Sequence, residues 1–229
     1  LKYLKLHPWK VSTARAKEIQ IDLARRVVPR WDGRDIDVIA AADVGFPDRD
    51  TVLAAVVVLT FPELEVVETR VKRAKVTFPY VPGYLSFREV PALLGCLDKV
   101  RAAPDVLMCD AQGLAHPRGM GLATHVGILL DSPVLGCAKS VLYGKFEDPS
   151  GRKGSVSYMR GRDGGVVGAA VRTRDGVKPV YVSVGNHIDL ETAVDLVLRC
   201  SPRYRIPEPL RLAHNLSVGK LDARGMARK

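Results

Sequence analysis

Four side chains that could do chemistry stand out by where they fall: Asp43, Asp110, Glu89 and Lys139. Asp43 closes the apolar run 38–42, and Asp110 closes the run 106–109. A carboxylate at a strand end, next to a loop, is placed to meet a metal ion or a substrate at the edge of an α/β sheet. If the two strands are neighbours, the two charges converge and repel unless a cation sits between them. The plainer reading of either aspartate is a turn cap. Glu89 is also open to two readings. Ser86-Phe87-Arg88-Glu89 has the S-x-x-E spacing of a capping box, in which the glutamate reaches back to the serine amide. Three carboxylates at one sheet edge would instead suit Mg2+, a hard ion that prefers oxygen ligands and keeps several waters. Such sites hydrolyse phosphodiesters by polarising the phosphate and activating water.

Lys139 follows the apolar run 134–138, where it could stabilise charge building on a phosphate or simply stand in solvent. His116, in the loop after Asp110, and His214, between Ala213 and Asn215, have no local feature that promotes either one. The loop Pro79-Tyr80-Val81-Pro82-Gly83-Tyr84 is stiffened by two prolines, and Gly83 permits close backbone approach. Its tyrosine could wedge between stacked bases or pack inside a turn. Cations that could follow a nucleic-acid backbone, or form solvated faces, occur at Arg70, Lys72, Arg73 and Lys75, and again at Lys145, Arg152, Lys153, Arg160 and Arg162.

The elements that must carry these groups read as follows. Ser12 or Thr13 caps a helix with Ala16, Ile19, Leu23 and Val27 on one side. Strand-like runs at 36–44, 52–61 and 64–76, joined by short turns, form an antiparallel meander. Then come a helix at 86–102, a buried strand at 106–109, a helix at 119–130 and a strand at 134–138. A basic loop at 144–165 has room for a hairpin. Strands at 166–173 and 179–184 precede helices near 189–200 and 208–216. Meander first, then strands alternating with helices, predicts one mixed α/β sheet flanked by helices.

Composition agrees with one domain over 1–229. The 229 residues are 47% hydrophobic and 26% charged, which supplies a core and excludes global disorder. The longest apolar run, 52–59, is too short to span a bilayer, and no secretory signal is visible, so no membrane role is expected. A net charge of +10 leans toward a polyanionic partner. Cys96, Cys109, Cys137 and Cys200 form no C-x-x-C pair and predict buried thiols in a reducing, cytoplasmic setting. The basic residues after Gly219 predict a frayed tail over 219–229.

Longer motifs resemble one family. The segment from Pro79 to Glu89 is similar to the P-Y-x-P-G-x-L-x-F-R-E signature of endonuclease V. The D-x-Q-G-x-A-H-P-R stretch from Asp110 to Arg118 resembles it too, as do G-x-A-K-S from Gly136 to Ser140 and P-E-P-x-R-x-A-H from Pro207 to His214. The resemblance covers about residues 10–217. It implies a ribonuclease H-like fold and a magnesium-dependent endonuclease, with Mn2+ able to substitute, acting as a monomer. The substrate implied is DNA containing deoxyinosine, cut at the second phosphodiester bond 3′ of the lesion to leave 3′-hydroxyl and 5′-phosphate ends. Inosine-containing RNA is the alternative substrate, and a binding-only scaffold a more distant one.

By the same resemblance Asp43 and Asp110 hold the metal, with Glu89 completing the set directly or through water. His214 helps place the metal or the attacking water, and Lys139 faces the scissile phosphate. Pro79, Tyr80, Val81 and Pro82 form the wedge, while Gly83, Leu85, Ala111, Gly113, His116 and Gly136 belong to the base pocket. Hypoxanthine differs from adenine by a carbonyl acceptor and an N1–H donor, and from guanine by lacking the 2-amino group. The pocket therefore needs a backbone donor, a backbone acceptor and no room for an amine. Two positions depart from the family pattern. Ala111 stands where glycine is usual, adding a methyl group near the pocket, and Asn186 stands where many members carry histidine.

Overall fold

A computed structural model describes residues 1–220. Arg224, Arg228 and Lys229 of the expected basic tail lie outside the described residues. The first helix, α1 (Thr13–Ala24), starts where Ser12 Oγ accepts the Arg15 amide at 3.2 Å. It buries Ala16, Ile19, Gln20 and Leu23 at helical spacing, and it ends three residues short of Val27. Strands β1 (Val38–Gly45), β2 (Thr51–Thr60) and β3 (Val66–Lys75) form the expected antiparallel meander.

The rest alternates. It runs α2 (Leu85–Leu97), β4 (Val106–Cys109), α3 (Leu122–Leu130) and β5 (Val134–Ala138). Then follow β6 (Val156–Arg160), β7 (Val166–Val171), β8 (Val180–Asn186), α4 (Leu190–Arg199) and α5 (Glu208–Ser217). The hairpin that the basic loop could hold pairs β6 with β7, so only its first strand lies inside that loop. All eight strands make one sheet in the order β3-β2-β1-β4-β5-β8-β7-β6. The strands β1, β4 and β5 run parallel, and the other neighbours antiparallel.

Successive residues of a strand point to opposite faces, and β1 feeds both. Ile39 and Ala41 pack with Leu196 and Val197 of α4 and with Leu210, Ala213 and Leu216 of α5. Ala40 and Ala42 pack with Val90, Leu93 and Leu94 of α2 and with Val126 and Leu129 of α3. A smaller cluster holds α1 against Phe78, Phe87 and Met120. The sheet is the ribonuclease H-like arrangement, with its meander on one side of a parallel centre. All four cysteines are free and buried. Among the described residues, no helix is long and apolar enough to cross a membrane.

Candidate active site

The parallel register decides the site. Ala42 pairs with Cys109, so the next residues, Asp43 and Asp110, emerge side by side at the same sheet edge, and the Asp110 amide donates to the Ala42 carbonyl at 3.0 Å. Helix α5 brings His214 over the same edge, where its Nδ1 lies 2.9 Å from Asp43 Oδ2. One turn further on, Ser217 donates its hydroxyl to that same oxygen at 2.6 Å. The helix docks this closely because residue 45 is glycine. A Cβ there would lie 2.4 Å from the Ser217 carbonyl oxygen.

One potential ligand atom from each of Asp43, Asp110 and His214 lies within 4.8 Å of the other two. Burial and the neighbouring Asp43 push the Asp110 carboxyl above its ordinary range, while the Lys139 ammonium, in direct contact with Asp110 Oδ2, works against that. Glu89 is outside this close set. It is buried on α2, and burial together with the charges of Asp43 and Asp110 pushes it up to about 8. The capping-box reading of Glu89 fails. Tyr84 is the N-cap, Leu85 and Ser86 are already helical, and Ser86 Oγ has no hydrogen-bond partner. A buried carboxyl held close to two others, with one ammonium to offset them, is an arrangement a divalent cation would relieve. The donors are hard oxygens with one imidazole, which fits Mg2+ or Mn2+.

One residue past Asp110, Ala111 lines a cavity of about 180 Å³. Its wall includes Tyr80, Val81, Pro82, Gly83, Leu85, Ala111 and His116 from the expected wedge and pocket. Tyr80 is 72% exposed, so the packed-inside reading fails and the ring stands at the cavity mouth. Gly113 and Gly136, expected in the pocket, do not line it; they are packing glycines behind it. A Cβ on Gly113 would lie 2.0 Å from the Val184 carbonyl oxygen, and one on Gly136 would lie 2.5 Å from the Ala111 carbonyl oxygen. Ala111 itself is buried against the cavity.

Gly83 has φ +80, and its carbonyl is not free to meet a ligand. It accepts from Arg118 Nη2 at 2.7 Å, Gln20 Nε2 at 3.1 Å and His116 Nε2 at 3.1 Å. Because His116 Nδ1 accepts the Arg118 amide at 3.2 Å, the imidazole proton sits on Nε2. Burial and the Arg118 charge push His116 down to about 4, which keeps the ring neutral. His116 therefore braces the wedge loop.

Four residues of the site were not singled out by type or spacing. Gln20 is a polar residue on the apolar stripe of α1, and that anomaly is a readable signal. Ser217 falls one helical turn after His214, a spacing that only gains meaning once α5 is placed. Gln112 donates to the Ser140 carbonyl at 2.7 Å, and Arg205 donates to the Lys139 carbonyl at 2.8 Å. Together they fix the strand end that carries the lysine, and nothing in the local sequence announces it. Asn186 serves packing: its Oδ1 accepts the Val28 amide at 2.9 Å and its Nδ2 donates to the Gly127 carbonyl at 3.1 Å.

The whole chain has clear relatives. The Endonuclease V family model matches residues 21–215. Endonuclease V of Roseiflexus sp. (strain RS-1) is 50% identical over 210 residues, which cover 92% of this chain and 94% of that protein. The crystal structure of Endonuclease V from Streptomyces avermitilis superposes with a TM-score of 0.86 at 40% identity, covering 91% of this chain and 92% of that one. Endonuclease V of Ciona intestinalis, solved with a 24mer DNA containing an inosine followed by a ribo-adenosine, superposes at 0.77 with 26% identity, over 89% and 95% of the two chains. With its carboxylates, cavity and exposed tyrosine gathered at one sheet edge, the chain belongs to the endonuclease V family and is an endonuclease.

Proposed function

We propose that this endonuclease hydrolyses DNA at deoxyinosine, cutting the second phosphodiester bond 3′ of the lesion in a reaction that requires Mg2+ and accepts Mn2+. The observation that carries the reading is the adjacency of the Asp43, Asp110 and His214 cluster to a cavity guarded by Tyr80. Its ligand class is supported by the inosine-containing DNA bound to the Ciona intestinalis relative.

Asp43 and Asp110 would hold the metal, with Glu89 completing the set directly or through water. When bound, the divalent cation polarises the phosphate and supplies a nucleophile from water at neutral pH. The chain's own groups do the positioning. Ser217 and His214 both donate to Asp43 Oδ2, which fixes the orientation of the carboxylate that would hold the metal. Lys139 faces the scissile phosphate from its anchored strand end and offsets charge building on the phosphoryl oxygens. Tyr80 fills the gap left by the extruded nucleotide, and the rigid loop behind it is held by the clamp on the Gly83 carbonyl. Hydrolysis puts the water hydroxyl on phosphorus and the proton on the departing 3′ oxygen.

An end-labelled duplex with one deoxyinosine, compared with an adenine control in Mg2+, tests the reading. A single cut at the second bond 3′ of the lesion, absent from the control, is the expected result. Absence of that cut overturns it. A second reading, cleavage of inosine-containing RNA, draws on the ribo-adenosine that follows the inosine in the Ciona intestinalis complex, and the same oligonucleotide made as RNA tests it.

A further inference from the structure

The cations at 145–162 are sorted by the fold. Lys153 is spent on the Ser201 carbonyl, 3.0 Å from its Nζ. Lys145, Arg160 and Arg162 instead line one concavity, together with Val141 and Leu142. Lys145 and Arg160 exchange backbone hydrogen bonds of 2.9 and 2.8 Å, which ties the loop leaving Lys139 to the edge strand β6. The Arg162 amide donates to the Tyr143 hydroxyl at 3.0 Å, and Arg160 Nη1 is propped on the Gly164 carbonyl at 2.9 Å.

Among the described residues, none of these three cations forms an ion pair. Nearby acids are otherwise engaged or outside the concavity. Asp163 is turned onto its own hairpin, where Oδ1 accepts the Gly165 amide at 3.1 Å, and Asp148 pairs with Arg172. Glu147 is exposed and does not line the concavity. Three positive charges with no ion-pair partner among the described residues, gathered in one hollow, attract a polyanion. Val141 and Leu142, 42% and 47% exposed, offer an apolar surface of the kind the edge of a deoxyribose can cover. Leu142 also lines the cavity beside Tyr80, so the hollow and the cavity share a wall.

We propose that this hollow is a second anchor of the enzyme, in which Lys145, Arg160 and Arg162 grip the sugar–phosphate backbone of duplex DNA beyond the phosphate that faces Lys139. The choice of ligand rests on the deoxyinosine-DNA reading above. Backbone contacts carry no base information, so the anchor holds damaged and undamaged duplex alike.

The test is equilibrium binding of the full chain to a deoxyinosine duplex and to its unmodified counterpart, across roughly 50 to 200 mM salt. The K145Q/R160Q/R162Q variant is expected to weaken binding to both duplexes by the same factor, and to flatten the plot of log affinity against log salt by about 2 to 3 in slope. Each single substitution should flatten it by about 1, so the proposal stays testable if the triple variant does not fold, which its melting temperature reports. The K99Q/R101Q variant, at the far end of the sheet, controls for lost net charge and should leave the slope unchanged. An unchanged slope in the single variants, or an equal flattening in the control, overturns the proposal. Failure of the deoxyinosine reading would show separately, as a wild-type chain that does not cut the lesion while the slope on unmodified duplex still shifts.

Discussion

Ser217 and Asp43 lie 174 residues apart in the chain and share a 2.6 Å hydrogen bond at the centre of the site. The Ser217 hydroxyl is buried and has a second acceptor in the His214 carbonyl at 2.9 Å, so its one proton is shared between helix and carboxylate. Groups that orient a metal ligand tune metal affinity, commonly by tenfold or more. Ser217→Ala should therefore weaken Mn2+ binding by roughly tenfold, as read from the free-ion electron spin resonance signal without substrate. A variant that binds Mn2+ as the parent does would reduce Ser217 to packing.

Lys139 touches Asp110 and is fixed through its carbonyl by Arg205. Its proposed work is done on charge that grows only as the bond breaks. Lys139→Ala should slow single-turnover cleavage by about a hundred- to a thousandfold. Affinity for the deoxyinosine duplex should change far less. A loss confined to binding would move the lysine from the reacting phosphate to general backbone attraction.

Acid should destabilise the chain through its neutral histidines. Burial holds His116 at about 4 and His125 at about 3, both below the ordinary 6.5. Their neutral forms are the folded ones, so the full stability is present above pH 6.5. It falls as the unfolded chain takes up protons below 6.5, and for each residue the loss is complete at its folded value. Urea midpoints at pH 7 and pH 5 measure the net change, in which Glu89, held at about 8, contributes with the opposite sign because there the folded chain takes up the proton first. The histidine part is read by comparison with a variant. Acidification should cost His125→Phe less than the parent, because that variant has one proton fewer to gain on unfolding.

Ala111 puts a methyl group on the cavity wall one residue from Asp110. Ala111→Gly should keep deoxyinosine cleavage and relax the pocket toward bases with a substituent at C2. The ratio of kcat/KM for deoxyinosine over deoxyxanthosine should fall by up to about tenfold, the scale of one methylene in a fitted pocket. An unchanged ratio would place the methyl group outside the discriminating contacts.

Gly45 gives a stability test of the same architecture. A methyl group there meets the Ser217 carbonyl oxygen at 2.4 Å, and a backbone oxygen cannot step aside alone. Gly45→Ala should cost about 1–3 kcal/mol by chemical denaturation, and should also weaken Mn2+ binding as α5 is pushed off β1.

Much of this was readable in the chain. The apolar runs before Asp43 and Asp110 marked both carboxylates. Asp110 follows the end of β4 as expected, whereas β1 continues two residues past Asp43 to Gly45 alongside β2, and it is where the parallel pairing of β1 with β4 stops that the two groups meet. The loop 79–84 left Tyr80 open to a wedge or to a packed turn, and only the fold, with the ring largely exposed, decides against packing. What the chain did not disclose depends on distant packing. Arg205 reaches Lys139 from beyond α4, Ser217 reaches Asp43 from α5, and the capping-box spacing at Ser86 misled because the N-cap falls two residues earlier, at Tyr84. Gly113 and Gly136 looked like pocket residues because glycine suits both a ligand approach and a backbone contact, and only the neighbouring carbonyls tell the two apart.

Asn186 has a consequence for how this chain can change over time. Its Cβ lies 2.6 Å from where a side chain on Gly127 would begin, and its amide joins α3 to the segment after α1. A larger residue at 127 has no space beside any side chain at 186, because the contact is with the Cβ that every residue but glycine carries. An imidazole at 186 would have to find new partners for the Val28 amide and the Gly127 carbonyl. The side-chain amide is what couples 186 to 28 and 127: a histidine there would leave two backbone groups to be paired anew, so the exchange carries a stability cost unless the chain near 28 or 127 changes with it.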